Sequence, residues 1–165
     1  MTSKSSLILA AIGRAVLAHT GTTLDLSDDS KLAYSLVNSD AWSYPAESLP
    51  YVIIIAPAPT VTTMIHQVTL MSQDVTIIVY DRTDITEGIT SLSLAQYDQD
   101  ALTELRSIVW SIQDRDASGV DSIDINITDI APQNLQRNYT GVGSDTEGNV
   151  TQYSTTFSIQ YDEEY

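Results

Sequence analysis

At 165 residues and 18.0 kDa, with 22 acidic and 7 basic side chains and a formal net charge of −15, the chain is long enough for one domain with a real core. It has no cysteine, which excludes disulfides, thiolate metal sites and cysteine nucleophiles. The acidic balance opposes phosphate backbones and anionic membranes, so sequence-specific nucleic-acid binding and adsorption on lipid headgroups are disfavoured. Solubility by self-repulsion is the simplest use of such a charge.

The first apolar stretch, residues 7–18, is too short for a bilayer and is broken by Gly13 and Arg14. Arg14 also argues against a secretory leader, so synthesis in the cytoplasm without processing is expected. The stretch reads as a helix over 6–19: Ile8, Ile12, Ala15, Val16 and His19 recur at spacings of three and four, and Ser5 or Ser6 can cap it. Gly21 stands where such a helix stops. Residues 21–50 read as a long polar loop, with a short helix around 30–37 anchored by Leu32, Leu36 and Val37. Residues 51–56 are the continuous β-branched run of a strand covered on both faces, ended by Pro57 and Pro59. Residues 61–72 and 74–82 alternate as a strand pair, with the turn expected at 72–74.

A polar connection is expected over 83–97. A second helix follows over 101–115, with Asp100 as its cap, Glu104 near its positive end, and Leu102, Leu105, Ile108, Val109 and Ile112 as its buried stripe. Ile123, Ile125 and Ile127 mark a strand. Residues 152–161 carry the cleanest period-two alternation in the chain, Tyr153, Thr155, Phe157, Ile159 and Tyr161 against polar neighbours. Between these strands lies a second long loop, 131–149, with Gly141, Gly143 and Gly148. The expected architecture is a single α+β domain over 1–165: a mostly antiparallel sheet with two helices packed on one face.

No sequence motif for catalysis is present: there is no nucleophile elbow, Walker loop, HExxH or dinucleotide fingerprint. The glycines of 141–148 lack the lysine and helix start of a phosphate loop. His19 and His66 are the only histidines and read as structural, His19 at a helix end and His66 on a strand. Asp81, Asp84 and Glu87, and separately Asp114, Asp116 and Asp121, can be drawn as hard-cation clusters. Neither has the spacing of an EF-hand, and solvated acidic loops are the plainer reading. Trp42 and Trp110 are candidate sugar platforms, with Trp110 expected in the core. Thus no catalytic, cofactor or metal residue is assigned and no enzyme is expected. What remains is binding to other proteins: Tyr34, Trp42, Tyr44 and Tyr51 gather around the first long loop, and the last strand offers an edge. No individual residue is assigned to an interface.

Five segments carry a resemblance: SLILAAIGRAVLA, SLPYVIIIAPAP, VTLMSQDVTIIVYDR, ALTELRSIVWSIQDR and YSTTFSIQYDEEY. In order and character they resemble the tail terminator proteins of long-tailed bacteriophages and related neck proteins, over nearly the whole chain. The resemblance implies a hexameric ring that caps the tail tube, ends its polymerisation and provides the surface joining the tail to the head connector. It implies as partners further copies of the chain, the tail tube protein, a head–tail connector or neck protein, and a sheath protein in a contractile tail. DNA would pass through without specific binding, no membrane would be involved, and the location would be the virion tail or neck. The alternatives are another neck component (a head–tail connector or tail completion protein) and a non-catalytic glycan- or calcium-binding module.

Overall fold

The computed structural model describes residues 4–35, 50–82, 91–113, 126–139 and 149–164. In chain order these form helix α1 (Lys4–Leu17), strands β1 (Leu32–Ser35), β2 (Tyr51–Ile55), β3 (Thr60–Ile65) and β4 (Val68–Arg82), helix α2 (Ser91–Gln113), and strands β5 (Asn126–Ile130), β6 (Asn134–Tyr139) and β7 (Asn149–Glu164). The fold is α+β, with a mixed seven-stranded sheet. Among the described residues only β1 and β2 pair in parallel, and every other pairing is antiparallel.

The sheet is organised on one ladder. β4 and β7 pair without interruption from Val68↔Glu164 to Arg82↔Val150. Toward one end β2 and β6 flank this ladder, with β1 outside β2. Toward the other end β3 and β5 flank it. Strand periodicity then sorts the side chains. Val75, Ile77 and Val79 of β4 lie opposite Phe157, Thr155 and Tyr153 of β7, and all are buried on the face that carries both helices. The helices contribute Ile8, Ile12, Ala15 and Val16 from α1 and Ala101, Leu105, Ile108, Val109 and Ile112 from α2 to the same core. On the opposite face Ile53, Ile55, Ile78 and Tyr80 form a second buried cluster with Tyr51 against it. The run 51–56 is therefore covered on both faces, as its continuous hydrophobicity requires.

Several boundaries differ from the sequence expectation, each for a physical reason. The helix expected around 30–37 is a single tight turn over Asp29–Lys31, with Asp28 accepting from the Ser30 amide, followed by β1. Residues 36–37 lie outside the described residues. The turn expected at 72–74 is absent, because those polar residues are bonded inside β4. Gln73 is buried, accepting from Ser5 Oγ at 3.0 Å and donating to the Pro57 carbonyl at 3.1 Å, and Asp74 accepts from Ser158 Oγ at 2.6 Å. The actual turn is His66-Gln67, with His66 at φ 51°, in the left-handed region that two-residue hairpin turns demand.

Helix α2 begins at Ser91, so residues 91–97 belong to a helix where a polar connection was expected, and Asp100 lies inside the helix, accepting from Gln96. The inward stripe continues through this part of the helix as half-buried Leu94, Tyr97 and Asp98, the last two bringing hydrogen-bonding groups. Part of the loop expected over 131–149 is strand β6. Trp110, expected in the core, is 52% exposed. No helix among the described residues is long and apolar enough to cross a membrane.

Candidate functional site

Three polar constellations and two surface features deserve weighing as sites. The first constellation joins the helices. Chain leaving α1 passes over α2, and there Glu104 accepts from the amides of Thr23 (3.0 Å) and Leu24 (3.3 Å) and lies 2.8 Å from His19 Nε2. Burial pushes the Glu104 carboxyl up, but the hydrogen bonds from His19, Thr23 and Leu24 together outweigh it and hold the group below its usual range. Glu104 thus ties down a loop instead of complementing a helix start. Gly21 is fixed by the same contact: a Cβ there would overlap Glu104 Oε1 and His19 Nε2. Gly21→Ala is expected to cost about 1–3 kcal/mol by overpacking, read as a lower thermal midpoint with an unchanged far-ultraviolet circular dichroism spectrum.

The other two constellations are Tyr–carboxylate pairs between α2 and the sheet. Tyr97 donates to Asp81 at the end of β4, and Tyr153 of β7 donates to Asp98 at 2.8 Å. Burial, reinforced by the neighbouring carboxylates, pushes both phenols above their ordinary value, so they stay protonated donors. These are the polar anchors that hold the first turns of α2 against the sheet. None of the three constellations opens into a cleft with a nucleophile beside a base, and their geometry is that of structural fastening.

The residues singled out as cation clusters are not brought together among the described residues. Asp81 is engaged by Tyr97, while Asp84, Glu87, Asp114, Asp116 and Asp121 lie outside the described residues. Among the described residues no group of three or more His, Asp or Glu side chains is placed to hold a metal. Gly141, Gly143, Gly148, Trp42 and Tyr44 also lie outside them. The expected aromatic group is split: the Tyr34 hydroxyl lies over Gly13 of α1, whereas Tyr51 packs on the opposite face with Ile53 and Ile55. His66 sits in the hairpin turn and is exposed.

The surface is more informative. Every residue of β3 is exposed, and with the turn and the start of β4, which β7 pairs on its other side, it forms a hairpin at the end of the ladder. Met64 (66% exposed), Ile65 (61%), Val61 and Val68 stand out on it. Their register places Val61 and Met64 on one face and Ile65 and Val68 on the other, so both faces of the hairpin near its turn carry exposed aliphatic side chains. No Asp, Glu, Lys or Arg occurs from residue 48 to residue 73 in a chain of charge −15. That uncharged tract was a readable signal for the hairpin surface, and reading residues 61–72 only as half-buried strand passed it over.

The second feature is a groove of about 410 Å³ on the helix side. It lies between α2 (Arg106, Val109, Trp110) and the β5–β6 connection (Ile130, Ala131, Pro132, Gln133), with Thr155 of β7 also lining it. Gln133 fixes one wall by donating to the Leu102 carbonyl at 2.8 Å. Neither a protein-family profile nor a curated protein matches the sequence.

Proposed function

We propose that this chain is a virion structural protein, a tail terminator that assembles into a ring on the end of the tail tube, stops its growth and presents the surface on which the head connector docks. The observation that carries the reading is the β3–β4 hairpin: an uncharged segment on an otherwise strongly acidic chain, with Val61, Met64, Ile65 and Val68 exposed on it. The element pattern that resembles tail terminators in sequence also corresponds to an α+β fold with both helices on one face of the sheet. In a ring, a net charge of −15 per subunit suits a passage through which DNA slides without adsorbing. The partners on this reading are further copies of the chain, the tail tube protein, the head–tail connector and, in a contractile tail, the sheath.

The test is a native mass and negative-stain images of one purified sample, alone and with tail tubes. A ring at six times the 18.0 kDa chain mass is expected. A chain that stays monomeric in both conditions would overturn the reading. A calcium-dependent rise in stability of that monomer would move a cation-binding module to the front.

A further inference from the structure

We propose that the β3–β4 hairpin of one copy seats in the groove between α2 and the β5–β6 connection of the next copy, a head-to-tail contact that repeats around the assembly. The inference rests on the ring reading and deepens it by naming both halves of the subunit contact.

The two surfaces are complementary in three respects. In shape and polarity, the hairpin presents Met64, Ile65 and Val68 around its turn, and the groove is walled by Val109, Trp110, Ile130 and Pro132, with Trp110 half-exposed. In hydrogen bonding, the hydroxyl of Thr155, a groove-lining residue, is buried without a partner, and the hairpin turn carries the polar pair His66 and Gln67. In charge, the groove rim carries Arg106, while exposed Asp162 of β7 stands opposite Leu70 beside the hairpin. A second copy of this chain offers all three. Between two strongly acidic copies, the uncharged hairpin is the part that approaches with the least repulsion.

Geometry excludes a contact within one subunit. Thr155 lines the groove, and the hairpin turn lies beside Glu164, nine positions further along the same straight ladder, or roughly 30 Å at a strand's rise. The surfaces therefore lie far apart on one subunit, as a head-to-tail contact requires, and on the ring reading that contact repeats until it closes. Strand addition along β3 is opposed by a bulge: the register shifts between Val61 and Thr63, and Thr62 Oγ1 donates to the Leu70 carbonyl at 3.0 Å. Side-chain seating of the turn is the mode that remains.

Because the chain has no cysteine, introduced cysteines give clean cross-links. Ser107 is exposed on α2 next to groove-lining Arg106, so the double variant Ile65→Cys with Ser107→Cys, treated with a short bis-maleimide, is expected to give a ladder of multimers, whereas neither single variant does. Met64→Glu with Ile65→Glu, and separately Trp110→Glu, change exposed side chains, so thermal midpoints should hold while the concentration needed for assembly rises about tenfold or more. Assembly that persists at wild-type concentration in both variants would overturn the contact and leave the ring standing. A cross-linked dimer from Ile65→Cys alone would overturn it in favour of hairpin meeting hairpin. A wild-type chain monomeric with and without tail tubes would overturn both the contact and the ring.

Discussion

Phe157→Ala is expected to lower the unfolding free energy by about 3–5 kcal/mol, as large-to-small core substitutions of aromatic residues do. Phe157 is 1% exposed and sits where three strands meet, paired with Val75 of β4 on one side and Ile130 of β5 on the other. The helices cannot close over the loss, because they are held to the sheet elsewhere by Gln73–Ser5 and Tyr153–Asp98. A cavity therefore stays open. Domains of this size have a total stability of about 5–15 kcal/mol, so the variant should melt roughly 6–20 °C lower. Chemical denaturation checks it: the midpoint should fall with the slope unchanged. A loss below about 1 kcal/mol would mean that the site collapses freely, against the packing described here.

The second large effect concerns Glu104. Glu104→Ala leaves the amides of Thr23 and Leu24 and the His19 ring without their acceptor. Hydrogen bonds to a charged group contribute about 1.5–3 kcal/mol each in favourable cases, and they share one carboxylate here, so a total loss of about 2–4 kcal/mol at neutral pH is expected. The pH dependence has a definite sign. Because the folded state holds the Glu104 carboxyl below its ordinary 4.5, its contribution is fully present above that pH and is lost as pH falls through the folded value. The gap between the stability curves of wild type and Glu104→Gln should therefore be constant above about pH 4.5 and close as pH falls below it through the folded-state value. Parallel curves across the range would show that the carboxylate charge is not what holds residues 19–24.

The hydrophobic pattern made the core legible. Ile8, Ile12, Ala15 and Val16 at helical spacing, the run 51–56, and the alternation from Tyr153 to Tyr161 all lie where their periodicity puts them. What was not legible is where polar residues do structural work. Gln73 looks like part of a turn and is a buried bracket. Tyr97 and Asp98 look like connection and continue a helix stripe. Glu104 looks like a dipole partner and fastens a distant loop. Each of these roles depends on a partner at least 16 residues away, which period-based reading within a window does not see. The hairpin turn was missed for a related reason: His66 occupies a positive-φ position that glycine or asparagine ordinarily signals. The surface features were the least legible, since periodicity assigns Trp110 to a helix but does not say whether a neighbour covers it.

The β4–β7 ladder has a consequence in time. Thr76 and Thr156, paired near its middle, are 80 residues apart in the chain. At ribosomal rates of about 5–20 residues per second, β7 follows β4 out of the ribosome by roughly 4–16 seconds. During that interval β1 to β4 can pair among themselves, but the β4 edge that carries the long ladder, with Val75, Ile77 and Val79, lacks its partner β7. Topology of this kind folds slowly, because the long loop must close before the ladder can repay its entropy. The nascent protein therefore passes through a period in which the apolar side chains of β4 await β7, while the acidic charge that builds up along the later residues opposes association of neighbouring chains.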